Sequence, residues 1–300
     1  MTQVWVDGHP GNNVNPLDRG LAYGDALFAT MRVHQGKIQF LKSHLERLTQ
    51  GAYRLGFDWH PSNKLQQQLS RLAEANPNSC IKILLTRGVG GRGYAASVVR
   101  HNPAIITQSD IALQSEAMPG LHSQAAGSLD VTEIVSVHNL PTHYQNWQQQ
   151  GVCLAVSDVR LGRQPKLAGI KHCNRLEQVL IKSVDLAQYA QDWLVLDSDD
   201  YIVESSMANI FFAFDKKIIT PRQSFAGVAG MMREQVIHQL LQMGYKVEVT
   251  DFHYSMLNTA KHVFMTNSLF GLIDVLAIEN MRFSKASWTS KIREQLSLTL

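Results

Sequence analysis

The chain has 300 residues, 45% apolar and 18% charged, enough to bury a full core in one large domain or two medium ones. A net charge of +3 without a Lys/Arg block gives no footprint for nucleic acid, and no apolar run reaches membrane-spanning length. Cys80, Cys153 and Cys173 fit neither a disulfide framework nor a zinc spacing, and the N-terminus lacks the layout of a secretion signal, so a reduced, cytoplasmic setting is expected.

In chain order, Val4 and Val6 alternate with polar residues before "DGHPG", which predicts a hairpin. Leu41, Leu45, Leu48, Ala52 and Leu55 have helical spacing that ends at Gly56, and Leu65, Leu69 and Leu72 mark a second helix. "CIKILLT" and "VTEIVSVHNL" read as strands. Between them, from about 95 to 130, the chain is polar, rich in small residues and aperiodic, as in a surface insertion. "PTHYQNWQQQG" reads as a linker. Strand patterns then recur at "VCLAV", "WLVLDSDDYIVES", "ANIFFAFDKKIIT", "YKVEV" and "HVFMTNS". Leu176, Val179, Leu180 and Val184 form one helix face, with Asn174 as its cap; "GMMREQVIHQLLQMG" and the C-terminal "SKASWTSKIREQLSLTL" are further helices. Strands and helices mix without strict alternation. The expectation is an α+β (mixed α/β) chain with a smaller N-terminal domain over 1–141, a linker over 142–150 and a larger C-terminal domain over 151–300.

Several residues carry chemical promise, each with a plainer local reading. Lys171 precedes a helix start, whose partial positive charge and apolar surroundings would lower its pKa and suit it to Schiff-base chemistry; otherwise it is a surface lysine. Glu204 ends an apolar strand, where a buried carboxylate could face a cationic ring nitrogen; otherwise it sits in solvent. Gly227 and Gly230 lead into a helix whose free amides at Met231 and Met232, with Asn267 and Ser268, could hold a phosphate, although the glycine spacing is neither a Rossmann nor a P-loop pattern. Arg47 suits phosphate recognition, and the glycine loop "RGVGGRGY" carries Arg92 and Tyr94. His138, His143, His253 and His262 lack ligand spacing, so no metal site is expected, and Cys173 reads as a packed side chain.

The order of these signals is more specific than any one of them. "DRGLAYGDALFATMRV", "FLKSHLERL", "RGVGGRGY", "GIKHCNRLEQV", "VESSMANIFF", "TPRQSFAGVAGMMRE" and "MTNSLFGLIDV" together resemble the class IV pyridoxal-phosphate enzymes, from Asp18 to about Val275. That family contains the branched-chain and D-amino-acid transaminases and 4-amino-4-deoxychorismate lyase. "GGRGY" with "VRLGRQPKLAGIKHCNRLEQVLIKS" looks more like the lyase branch. The resemblance implies a two-domain fold-type IV enzyme, a homodimer, with pyridoxal 5'-phosphate in the interdomain cleft. It implies that Lys171 bonds covalently to the cofactor, that Glu204 faces its ring nitrogen, and that Arg47, Met231, Met232, Asn267 and Ser268 hold its phosphate. Arg92, Tyr94 and Arg32 would lie on the substrate side. The expected reaction is conversion of 4-amino-4-deoxychorismate to 4-aminobenzoate and pyruvate, in folate biosynthesis, with transamination of the branched-chain or D-amino-acid type as the alternative. Ala29 stands where many relatives carry Glu or Thr, at a position expected to meet substrate.

Overall fold

A computed structural model describes residues 3–96 and 131–300. The expected insertion over about 95–130 therefore lies, apart from its first two residues, outside the described residues. The N-terminal part is built on β1 (Gln3–Val6), β2 (His9–Pro10), α1 (Arg19–Tyr23), β3 (Ala26–His34), β4 (Lys37–Ile38), α2 (Leu41–Leu55), α3 (Asn63–Ala75), β5 (Ser79–Thr86) and β6 (Thr132–Asn139). The six strands pair antiparallel in the order β2-β1-β6-β5-β3-β4. Alternation on β3 sends Leu27, Ala29, Met31 and Val33 into a core closed by Leu45, Leu48 and Ala52 of α2 and Leu65, Leu69 and Leu72 of α3. Each such leucine contributes roughly 1.5–3 kcal/mol on burial. Gly56, at φ 78°, ends α2 with its amide on the carbonyls of Ala52 and Tyr53, and the Ser62 hydroxyl accepts the Leu65 amide at the start of α3.

The C-terminal part comprises α4 (His143–Gln150), β7 (Val152–Val156), α5 (Leu176–Ser183), β8 (Asp192–Leu196), β9 (Ile202–Ser205), β10 (Asn209–Ala213), β11 (Lys217–Pro221), α6 (Met231–Gln242), β12 (Lys246–Thr250), β13 (His262–Asn267), β14 (Gly271–Ile278), β15 (Met281–Arg282) and α7 (Thr289–Gln295). Its sheet runs β12-β11-β10-β13-β14-β7-β8-β9, with β15 on β14, and mixes parallel and antiparallel pairs. Both faces are covered at its centre. Ile210 and Phe212 of β10 enter one core, while Phe211 and Ala213 enter another beneath α6 and α7. That two-sided burial is why "NIFFA" is apolar throughout.

Three expectations need correction. The polar stretch read as a linker over 142–150 contains α4, whose Tyr144 and Gln148 are buried. Gln148 Nε2 donates to the carbonyls of Phe270 and Leu298, both at 2.7 Å, so a polar side chain is the fastening. The apolar face expected on α5 points outward: Leu176, Val179, Leu180 and Val184 are 55–77% exposed, and Ile181 is the buried residue. Asn174 does not cap that helix; its Nδ2 donates to Gly24 O at 3.0 Å, and Arg175 holds the cap position without a side-chain bond.

Candidate active site

The Lys171 segment is pinned on both sides. Gly169, at φ 80°, exchanges backbone bonds of 3.0 Å with Gly227 and Ala229. Two residues on, the Lys171 carbonyl accepts the Phe28 amide at 3.0 Å and the Cys173 amide donates to Ala26 O at 2.9 Å. One short strand-like stretch thus joins the start of β3 to the turn that leads into α6. The Lys171 ammonium nitrogen lies 4.4 Å from the centroid of the Phe28 ring.

Burial first, then the charges of Arg47 and Arg175, pull the Lys171 pKa down to about 7, against the opposing pull of Glu204. Burial was anticipated; the charges that add to it are the arginines', while α5 begins at Leu176, five residues on. Glu204, on β9, is buried, and its Oε2 accepts the Val228 amide at 3.0 Å. Its burial pushes the carboxyl pKa up, opposed chiefly by Arg175 and then by that amide, Lys171 and Arg233.

Arg47 sits on α2, half-buried, with Nε inaccessible and without a hydrogen-bond partner among the described residues. Burial and the nearby Arg175 lower its pKa to about 10. One turn earlier His44 is fully buried with neither ring nitrogen bonded, its pKa pressed to about 3 by burial, then Arg47 and Lys171. A neutral imidazole and two crowded guanidinium groups make a site short of negative charge.

The first turn of α6 faces the same region. Gly230 caps the helix without a side-chain bond, and a β-carbon there would stand 2.0 Å from Asn209 Oδ1, so any larger residue must displace the Asn209 side chain. The side chains of Met231 and Met232 are buried in the core; their amides are what the helix end offers. Asn209 also donates to Val228 O at 2.8 Å and pairs in register with Thr266, which brings the 267–268 turn to that end of the sheet. The Asn267 side chain is engaged within the turn, accepting the amides of Leu269 and Phe270, both at 2.9 Å. Ser268 is half-buried, and its hydroxyl has no partner among the described residues.

The substrate-side expectations fare unevenly. The Arg32 guanidinium donates to Leu298 O at 3.0 Å and Thr299 O at 2.9 Å, tying β3 to the C-terminal residues. Strand parity turns Ala29 into the core, and Thr30 shares the other face with Phe28 and Arg32. Arg92 and Tyr94 are exposed on the 88–95 loop, and among the described residues neither bonds to Lys171, Glu204 or Arg47. Three residues of the cluster escaped sequence reasoning. His44 lies at i−3 from Arg47 on one helix face, a spacing that could have flagged it. Arg175 bonds to the carbonyls of Ile170 and His172, and Phe28 reaches Lys171 only through tertiary pairing.

A half-buried lysine whose pKa is pulled down to about 7, under the influence of a buried carboxylate and two arginines, stands in a mixed α/β fold. The chain belongs to the class IV amino-transferase family, whose family model matches residues 26–278. Among its relatives, an aminodeoxychorismate lyase of Vibrio harveyi is 34% identical over 284 residues, covering 91% of this chain and 90% of that one. The crystal structure of 4-amino-4-deoxychorismate lyase from Pseudomonas aeruginosa matches with a TM-score of 0.83 at 32% identity, over 99% of this chain and 100% of that one. The branched-chain amino acid aminotransferase of Escherichia coli, at 19% identity and a TM-score of 0.73 over 97% of this chain and 92% of its own, shares the fold.

Proposed function

We propose that the protein is a pyridoxal 5'-phosphate-dependent lyase that converts 4-amino-4-deoxychorismate to 4-aminobenzoate and pyruvate, the reaction that supplies 4-aminobenzoate for folate. The observation that carries it is the half-buried Lys171, its pKa lowered to about 7 under Arg47 and Arg175 and against Glu204, in a chain 34% identical to an aminodeoxychorismate lyase along nine-tenths of its length. The residues fit the cofactor. The unpartnered Arg47, the free amides of Met231 and Met232 and the Ser268 hydroxyl suit its phosphate, and Glu204 suits its ring nitrogen. Asn267 shapes that turn rather than offering its own side chain. When bound, the group supplies an electron sink.

The chain's own residues manage protons and position. Lys171 Nζ, its pKa pulled well below that of an ordinary lysine, takes the proton from the substrate carbon that bears the amino group. The same nitrogen then returns a proton to the enolpyruvyl group as its carbon–oxygen bond breaks and it departs as pyruvate. Arg175 and the Val228 amide favour the ionised form of Glu204 against its burial, and in that form it would hold positive charge on the ring nitrogen.

The test is to mix protein, cofactor and substrate without any keto acid. Equimolar 4-aminobenzoate and pyruvate are expected. No product, or product only when 2-oxoglutarate or pyruvate is added as amino acceptor, overturns the lyase reading, the latter in favour of a transaminase. The exposed stripe of Leu176, Val179, Leu180 and Val184 supports a homodimer that covers it, and sedimentation at twice the chain mass is the check. Three unpaired cysteines support a cytoplasmic site of action.

A further inference from the structure

The 88–95 loop has almost no buried side chain to hold it: Tyr94 is 88% exposed, and residues 91–95 are all exposed. It is nevertheless tied down by Arg19, which is 4% exposed. Arg19 Nη1 donates to Gly93 O at 3.1 Å and Ala95 O at 3.4 Å, and Nη2 to Tyr94 O at 2.9 Å. Three consecutive carbonyls thus converge on one planar fork, which a lysine cannot reproduce. Gly90 leaves room for it, since a β-carbon there would lie 2.6 Å from Arg19 Cδ. The Gly93 amide donates to the Tyr23 hydroxyl at 3.0 Å, and the Tyr23 ring lies against both the guanidinium and Tyr94.

The other side of the clamp reaches the catalytic segment. Arg19 Nε pairs with Asp25 Oδ2 at 3.0 Å, and Arg87 Nε pairs with the same oxygen at 2.6 Å. Arg87 then donates to Leu55 O and Gly56 O, the end of the helix that carries Arg47. Asp25 directly precedes Ala26, whose carbonyl accepts the Cys173 amide two residues from Lys171. The clamp therefore registers the loop to Lys171 and Arg47 through a continuous set of bonds.

We propose that Arg19 is a positioning residue that sets substrate affinity by fixing the backbone of the loop that presents Arg92 and Tyr94. This rests on the lyase reading, under which those side chains meet the anionic substrate. Arg19 itself does not touch the reacting atoms. Displacing a recognition loop by about an ångström typically costs on the order of 10- to 100-fold.

The experiment compares wild type with Arg19→Lys, both as cofactor-loaded enzyme. Expected for the variant is a KM raised at least about 10-fold with kcat within about twofold, an unchanged cofactor absorption spectrum, and faster trypsin cleavage after Arg92. An unchanged KM in the variant overturns the inference, and so does a lost kcat with a shifted cofactor spectrum, which would mark Arg19 as support for the fold at large. Arg19→Gln, which keeps part of the hydrogen bonding without charge, is expected to raise KM at least as far; a normal KM there also overturns it. A wild type that makes no 4-aminobenzoate overturns the lyase reading, and the link to affinity with it. A productive wild type with an indifferent variant overturns this inference alone.

Discussion

Phe28 holds Lys171 at both ends: its amide donates to the lysine carbonyl at 3.0 Å, and its ring centre lies 4.4 Å from the ammonium nitrogen. Backbone pairing fixes where the side chain starts, and the ring fixes where it ends. Among the described residues the lysine forms no ion pair within 4 Å, and Glu204 acts on it only from further away. That combination suits an amine that must alternate between free base and proton carrier.

The charge on Lys171 should be visible in stability. Its folded pKa, about 7, lies below the ordinary 10.5, so the unfolded chain binds the extra proton between those values. Stability of the cofactor-free protein should therefore rise with pH across that window, and the full penalty should be present below pH 7. Lys171→Met removes the penalty. Thermal unfolding of the cofactor-free variant should show a higher midpoint than wild type at pH 7, with the difference shrinking as pH approaches 10. The variant should also lack all lyase activity. A difference that grows with pH contradicts the assignment.

Arg47 should show the opposite signs of a binding group and a structural one. Its buried Nε has no partner among the described residues, so the cofactor-free protein carries an uncompensated cost. Arg47→Met should leave that form as stable as wild type or more so, while weakening cofactor affinity by about 10- to 100-fold through loss of a charge-assisted phosphate contact. Fluorescence titration with pyridoxal 5'-phosphate and thermal unfolding without it read the two effects separately. A variant destabilised in the absence of cofactor would make Arg47 part of the scaffold.

How much of this could be read from the sequence depends on the range of the contact. Lys171, Arg47 and Glu204 stand out because each is the residue type one chemical task requires, and their order adds specificity. Arg175 acts on Lys171 from four residues away, and His44 lies one turn before Arg47, but neither residue type is one that the expected chemistry singles out, so their place in the cluster shows only in the fold. Alternation on β3 is blurred because apolar Phe28 shares a face with Thr30 and Arg32, opposite Leu27, Ala29 and Met31. On α5 the apolar stripe was legible, but periodicity cannot say that none of the described residues covers it. On α4, buried Gln148 is polar because it bonds two carbonyls, which hid a packed helix behind the composition of a linker.

Glu204→Gln separates charge from shape. The amide oxygen can still accept from Val228, but the carboxylate that raises the Lys171 pKa is gone. Lys171 should therefore titrate lower in the variant, measurable from the pH dependence of its chemical labelling in the cofactor-free protein. Lyase turnover should fall by about 100-fold or more, since a preorganised charge is lost where the ring nitrogen would sit. A Lys171 titration moving upward would mean that Glu204 does not act on it through charge.

Gly230 tests whether the end of α6 is built to one shape. An added β-carbon would lie 2.0 Å from Asn209 Oδ1, on the side chain that also holds the Val228 carbonyl beside Glu204. Gly230→Ala should cost about 1–3 kcal/mol in unfolding free energy, as overpacked positions do. It should also weaken cofactor binding, because the displaced Asn209 no longer anchors the turn from which the free amides emerge. Combining it with Asn209→Ala removes the clash but not the lost anchor. The double variant should regain part of the stability while cofactor affinity stays low, a coupling read by a double-mutant cycle. Full recovery of affinity in the double variant would show that Asn209 fills space there and does not position the helix end.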